Sequence, residues 1–201
     1  MMLGISFFQL IPESLGIISF YLVIISFLFG IIIMRVVDRI LPHINPELLK
    51  KEKPSVKRSV TMLVIGIALH NIPEGLAIGV AFTLSPEFGI TIALGIAAQD
   101  VPENIATIVP LYGMTKRRMK SFIITTATIL FEIVGFALGY FFLSGSRLEV
   151  LGASLAVAAG FMVYISIEEL IPAARIRQYP KIGTICLALG VVCVLLVGLL
   201  G

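Results

Sequence analysis

The sequence is short of charge. Only 13% of its 201 residues are Asp, Glu, Lys or Arg, while 58% are hydrophobic; soluble globular domains run nearer a quarter charged. A long polar stretch is also lacking. The longest, residues 38–59, has 22 residues, so no separate soluble domain fits, and residues 1–201 read as one membrane domain with 38–59 as a loop. Cysteine is scarce: Cys186 and Cys193 both lie in the last apolar run, seven apart. That excludes a disulfide framework and zinc-finger spacing, and both are expected to be inert packing residues. The N-terminus has neither a basic region nor a small-residue cleavage site, so no cleavable signal peptide is expected. Histidine is equally rare, with His43 and His70 alone. Catalytic di-metal sites built on His-Glu-x-x-His or Glu-x-x-His pairs are therefore disfavoured. With a mean hydropathy of +1.07, the chain belongs to the integral membrane class.

What is there is a series of seven apolar segments: 1–12, 15–37, 60–84, 89–112, 121–143, 151–172 and 182–200. A spanning helix needs about 20 residues; the first segment, rising roughly 18 Å against a core of about 30 Å, is too short. The expected fold is an all-α polytopic membrane helix bundle. If the other segments all span, fourteen of the fifteen Lys and Arg residues fall on one side. This obeys the positive-inside rule. It accounts for the basic residues without nucleic acid, places loop 38–59 in the cytoplasm and puts the C-terminus on the other face.

The polar groups inside the apolar runs carry the chemistry. "HNIPEG" begins at His70 and "QDVPEN" at Gln99, 29 residues later. Both share one frame on neighbouring helices that run in opposite directions. A weaker pair, "FFQLIPES" and "SIEELIPAA", is related in the same inverted sense, which suggests an inverted-repeat transporter with its site near the midplane. On the first helix, His70 and Glu74 are i and i+4, with Asn71 and Glu74 i and i+3. On the second, Gln99 and Asp100 stand in the same relation to Glu103. A carboxylate has two oxygens and can bridge two cations. The spacing therefore suggests two adjacent metal positions, His70, Glu74, Gln99 and Glu103 for one and Asn71, Glu74, Asp100 and Glu103 for the other. Pro73 and Pro102 lack the N–H that would bond Leu69 and Ala98, and so mark helix kinks; at this depth such backbone is tolerated where it is packed in protein or lines a wet cavity. Glu132 lies a further 29 residues on. A charge at the bilayer centre costs about 2.5–3.5 kcal/mol, and no Lys or Arg is placed to pair these four carboxylates. Two divalent ions would balance them, in competition with protons. One imidazole, amides and carboxylates without thiolate suit Zn, Fe, Mn, Co or Cd; the imidazole argues mildly against Mg and Ca.

"HNIPEG" followed by "QDVPEN" resembles the ZIP family of divalent-metal transporters, particularly its GufA-like bacterial branch, along essentially the whole chain. The resemblance implies an eight-helix fold, of which these segments match helices two to eight, with Met1 standing inside helix two and helix one missing. It implies movement of divalent metal, zinc first, into the cytoplasm of a prokaryotic cell, by an elevator-like shift of a bundle carrying both motifs, often in a dimer. Metal is then cargo in a lipid bilayer, no catalytic cofactor is expected, and Glu132 matches the acid that this branch adds to the second position. Met2 and Ser6 could line the pathway, Glu13 guard the outer mouth, and Glu168 or Glu169 form an exit site, each against an ordinary packing or interfacial role. His43 is expected to be a solvated loop histidine. The competing readings are a membrane-embedded di-metal enzyme, a proton-relay subunit and a non-transporting metal-binding or structural subunit.

Overall fold

The computed structural model describes residues 1–40, 56–171 and 180–198. His43 and most of loop 38–59 lie outside them. Seven helices and no strand make up the described residues: α1 Met2–Ile17, α2 Phe20–Ile40, α3 Val56–Leu84, α4 Pro86–Thr115, α5 Arg118–Phe142, α6 Leu148–Ile165 prolonged by Ser166–Leu170, and α7 Pro180–Gly198. Each corresponds to one apolar segment of the sequence. Four of them, α2, α3, α5 and α6, contain stretches long and apolar enough to cross a membrane. At 30 residues, α4 has length for about 45 Å, but Gln99, Asp100 and Glu103 interrupt its apolar run.

The first helix is longer than the sequence suggests. It passes Pro12 and stops at Ile18, whose backbone is extended. A π-helical turn precedes the proline at Ser6–Leu10, where the Ile11 N–H bonds Ser6 O, five residues back. The helices α3 and α4 likewise continue through Pro73, Pro102 and Pro110.

The exterior is apolar: Phe7, Phe20, Tyr21, Phe29, Phe122 and Phe141 are all exposed. In water such a surface would be unfavourable at about 25 cal/mol per Å²; against lipid tails it is matched. The interior combines an apolar core around Ile5, Leu10, Ile92, Ile96, Leu155 and Met162 with a set of buried polar groups. Cys186 and Cys193 are exposed on α7 rather than packed inside, because this helix turns both toward the outer face.

Glycine sets how closely the helices approach. Across α3 and α5, a Cβ on Gly75 or Gly79 would run into the carbonyl oxygens of Glu132 or Phe136, and one on Gly135 or Gly139 into those of Ile72 or Leu76. Two glycines four apart on each helix thus let the backbones touch, the small-residue packing available to helices that share lipid surroundings. Helices α2 and α6 meet in the same way, Gly30 against Val157 O and Gly160 against Phe27 O. That second pair is also joined by Tyr164, whose hydroxyl donates to Asp38 Oδ2 at 3.1 Å.

Candidate metal centre

The polar frames of α3 and α4 face each other inside the bundle. His70 is 7% exposed, Asn71 8%, Glu74 1% and Gln99 5%. Burial of this kind costs free energy unless each group has a partner. Carboxylate oxygens of Glu74, Asp100 and Glu103 all lie within 4.8 Å of one another. Two oxygens bound to one tetrahedral zinc ion, each at roughly 2.0–2.2 Å, stand about 3.4 Å apart. Closing this group around an ion therefore needs a contraction of up to about 1.4 Å.

Next to it is a cleft lined by Ile67, Asn71, Asp100, Glu103, Asn104, Ile129 and Glu132. Its free volume, about 10 Å³, is close to the least that admits one water-sized body. The lining has three carboxylates and no Lys or Arg. Glu132 reaches the cleft from α5, whose backbone is held against α3 at Gly75. The cleft brings Asn71, Asp100 and Glu103, three of the residues the spacing assigns to one position, together with Glu132, which the family resemblance assigns to it. It adds Asn104, which the sequence reading had not singled out. Its position one turn after Asp100 on the same face was the available signal.

Hydrogen bonds orient the donors. His70 Nδ1 lies 2.7 Å from Gly66 O. A carbonyl can only accept, so Nδ1 is the donor in this bond; in the neutral ring Nε2 is then the nitrogen able to bind a metal. Metal-bound imidazoles are typically oriented by this kind of bond to a backbone carbonyl. Asn71 Nδ2 donates to Thr128 O at 2.9 Å, which commits the nitrogen to α5 and leaves Oδ1 as the atom able to bind a cation. Gln99 Nε2 donates to Glu74 Oε1. Gln99 Oε1 is buried and has no partner, so the side chain holds an unused ligand oxygen beside the carboxylates.

The remaining sequence candidates sit elsewhere. Met2 is buried in the apolar core, and the Ser6 hydroxyl donates to Met2 O at 2.9 Å. Glu13 is exposed near the end of α1, and Glu168 is exposed in the last turn of α6. Glu169 belongs to the same π-helical turn, Ser166–Leu170, and its side chain lies outside the described residues. Of these, Met2, Ser6, Glu13 and Glu168 neither belong to the carboxylate group nor line the cleft.

Sequence comparison finds related proteins. The sequence model of the family described as "ZIP Zinc transporter" matches residues 49–198. The zinc transporter ZupT of Shigella dysenteriae serotype 1 is 35% identical over 197 residues, covering 92% of this chain and 76% of the relative. ZupT of Escherichia coli O7:K1 is similar to the same extent, with the same coverage.

Proposed function

This chain belongs to the ZIP family, and from that premise we propose that it carries divalent metal ions, zinc first, across the membrane into the cytoplasm through a binuclear centre between α3, α4 and α5. Family membership makes it a transporter and sets aside the di-metal enzyme reading. The single observation that carries the site is the group Glu74, Asp100 and Glu103, drawn together inside a bundle whose exterior is apolar.

In this reading Glu74 and Glu103 are shared between two positions. His70 Nε2 and Gln99 Oε1 complete one. Asn71 Oδ1, Asp100 and Glu132 complete the other, with Asn104 at its margin. Two divalent ions neutralise four carboxylates, which is why the chain can hold these acids at a depth where a lone charge costs about 2.5–3.5 kcal/mol. Before an ion arrives, the Gln99 amide nitrogen stabilises Glu74 in the place of a cation. Binding requires the amide to turn and present Oε1 instead. Mixed nitrogen and oxygen donors without thiolate also fit Fe, Mn, Co and Cd. The bundle carrying the centre shifts as a body in an elevator-like step, in a protein that pairs as a homodimer, with loop 38–59 cytoplasmic and the C-terminus on the far side.

Zinc uptake into proteoliposomes tests this. The wild-type protein should load vesicles with zinc, and Glu74→Ala and Glu103→Ala should each abolish loading, since either removes a ligand common to both positions. Uptake that survives both substitutions would place the pathway somewhere else.

A further inference from the structure

Among the described residues outside the metal centre, the least satisfied polar side chain is Gln9 on α1. It is 8% exposed, and both its Nε2 and its Oε1 are buried without a hydrogen-bond partner. An amide group can make up to four hydrogen bonds, and each buried group left without one is destabilising. A side chain serving only to fill space would do better as Leu or Met.

Its surroundings say what the amide is for. A Cβ on Gly95 of α4 would stand 3.8 Å from Gln9 Oε1, and one on Gly198 of α7 would stand 3.5 Å from Gln9 Nε2. The amide therefore lies where three helices meet, beside two residues with no side chain. Gly95 is one helical turn before Gln99 on the same face of α4, about 6 Å along the axis. Gln99 Oε1 is the other buried amide oxygen without a partner. Gln9 Oε1 thus lies beside α4 one turn from Gln99, whose nitrogen donates to Glu74. Gln9 stands on the Pro86 side of the centre, the outer side in the orientation proposed above.

An internal symmetry points the same way. Residues 2–12 and 162–172 share the frame Met-x-x-Ile-Ser-x-x-Gln/Glu-Leu-Ile-Pro. Both copies form a π-helical turn, Ser6–Leu10 and Ser166–Leu170. In both, the serine hydroxyl donates to the methionine carbonyl four residues back, at 2.9 Å for Ser6 and 2.8 Å for Ser166. Such turns concentrate at functional sites. Gln9 and Glu169 hold equivalent places in the repeat, one helix near the start of the chain and one near its end.

We propose that Gln9 is an intake ligand: its Oε1 binds an incoming divalent cation, or accepts a hydrogen bond from that cation's water, between α1, α4 and α7 before the ion passes to Gln99 and Glu74. A neutral amide suits the task, because a waystation must bind firmly enough to admit the ion and weakly enough to release it. The carboxylates beyond it then draw the ion inward. This inference rests on the transport reading given above.

The test compares initial rates of zinc uptake into proteoliposomes over a range of zinc concentrations, alongside equilibrium zinc binding to the purified protein. Gln9→Leu should raise the zinc concentration for half-maximal uptake roughly fivefold, the size of one lost polar contact, while zinc affinity at the carboxylate centre stays at the wild-type value. Gln9→Glu, which copies the repeat's other half, should restore intake at low zinc. Should Gln9→Leu elute as aggregate, Gln9→Asn carries the same test with a shortened amide. An unchanged half-maximal concentration in a folded variant would overturn the inference, as would a parallel loss of zinc affinity at the centre, the mark of a packing residue. A wild-type protein that moves no zinc takes down the transport reading and this inference together, which separates that failure from one confined to Gln9.

Discussion

Replacing Gly75 by alanine should cripple zinc binding without touching a single ligand. A methyl group there would overlap the Glu132 carbonyl oxygen and stand 2.7 Å from both the Glu132 carbonyl carbon and Phe136 N. Ordinary contact begins near 3.4 Å. Because interiors are close-packed and have no slack to absorb the difference, α3 and α5 must part by about 1.5 Å to bring that oxygen to ordinary contact. Metal–ligand distances hold to within roughly 0.2 Å, and Glu132 is the group displaced. Loss of a supporting contact typically weakens metal affinity by about 10–100-fold, and overpacking of this kind costs about 1–3 kcal/mol of stability. The assay is calorimetric zinc titration of the detergent-purified protein, with Gly113→Ala as control, since a Cβ at Gly113 meets nothing within 4 Å. The α3–α5 contact holds Glu132 in place only if Gly75→Ala falls below the control in both affinity and thermal stability; equal behaviour refutes the reasoning.

Two further outcomes follow from the donor set. Carboxylates must lose their protons to bind metal, so zinc loading should release protons and its affinity should fall as the solution is acidified; a pH dye in weakly buffered solution that records no acidification on zinc addition would count against the carboxylate centre. Glu132→Gln should lower the zinc stoichiometry from two to one, since it belongs to one position alone; a protein that still binds two would show that Glu132 is no ligand.

Much of this arrangement was legible in the chain. Hydrophobic runs give helices because a backbone in lipid must satisfy its own hydrogen bonds, and the i, i+4 pairs His70–Glu74 and Gln99–Glu103 are local facts of helix geometry. Glu132 could be added by its charge alone, as an acid at that depth needs a partner. What escaped was anything that depends on which helix faces which. Gly75, Gly79, Gly135 and Gly139 read as small apolar residues until the Glu132 and Leu76 carbonyls are seen against them. Asn104 looked like the end of a motif rather than the wall of a cleft. Helix α1 continues past Pro12 after a π-helical turn that no residue type announces. Gln9 was visible in its motif, but its missing partners were not.

The glycine contacts bear on how such a protein can diverge. When a larger residue strikes a side chain, a second substitution can make room for it. At Gly30, Gly75, Gly135 and Gly160 the obstacle is a main-chain carbonyl, and no change of residue removes a carbonyl. These positions admit no compensating partner. The ligand frames are freer: within this one chain the same frame carries His70 and Asn71 on α3 but Gln99 and Asp100 on α4. Descendants of this chain could therefore trade ligands, and with them the ion preferred, while the lines along which the helices touch stay fixed.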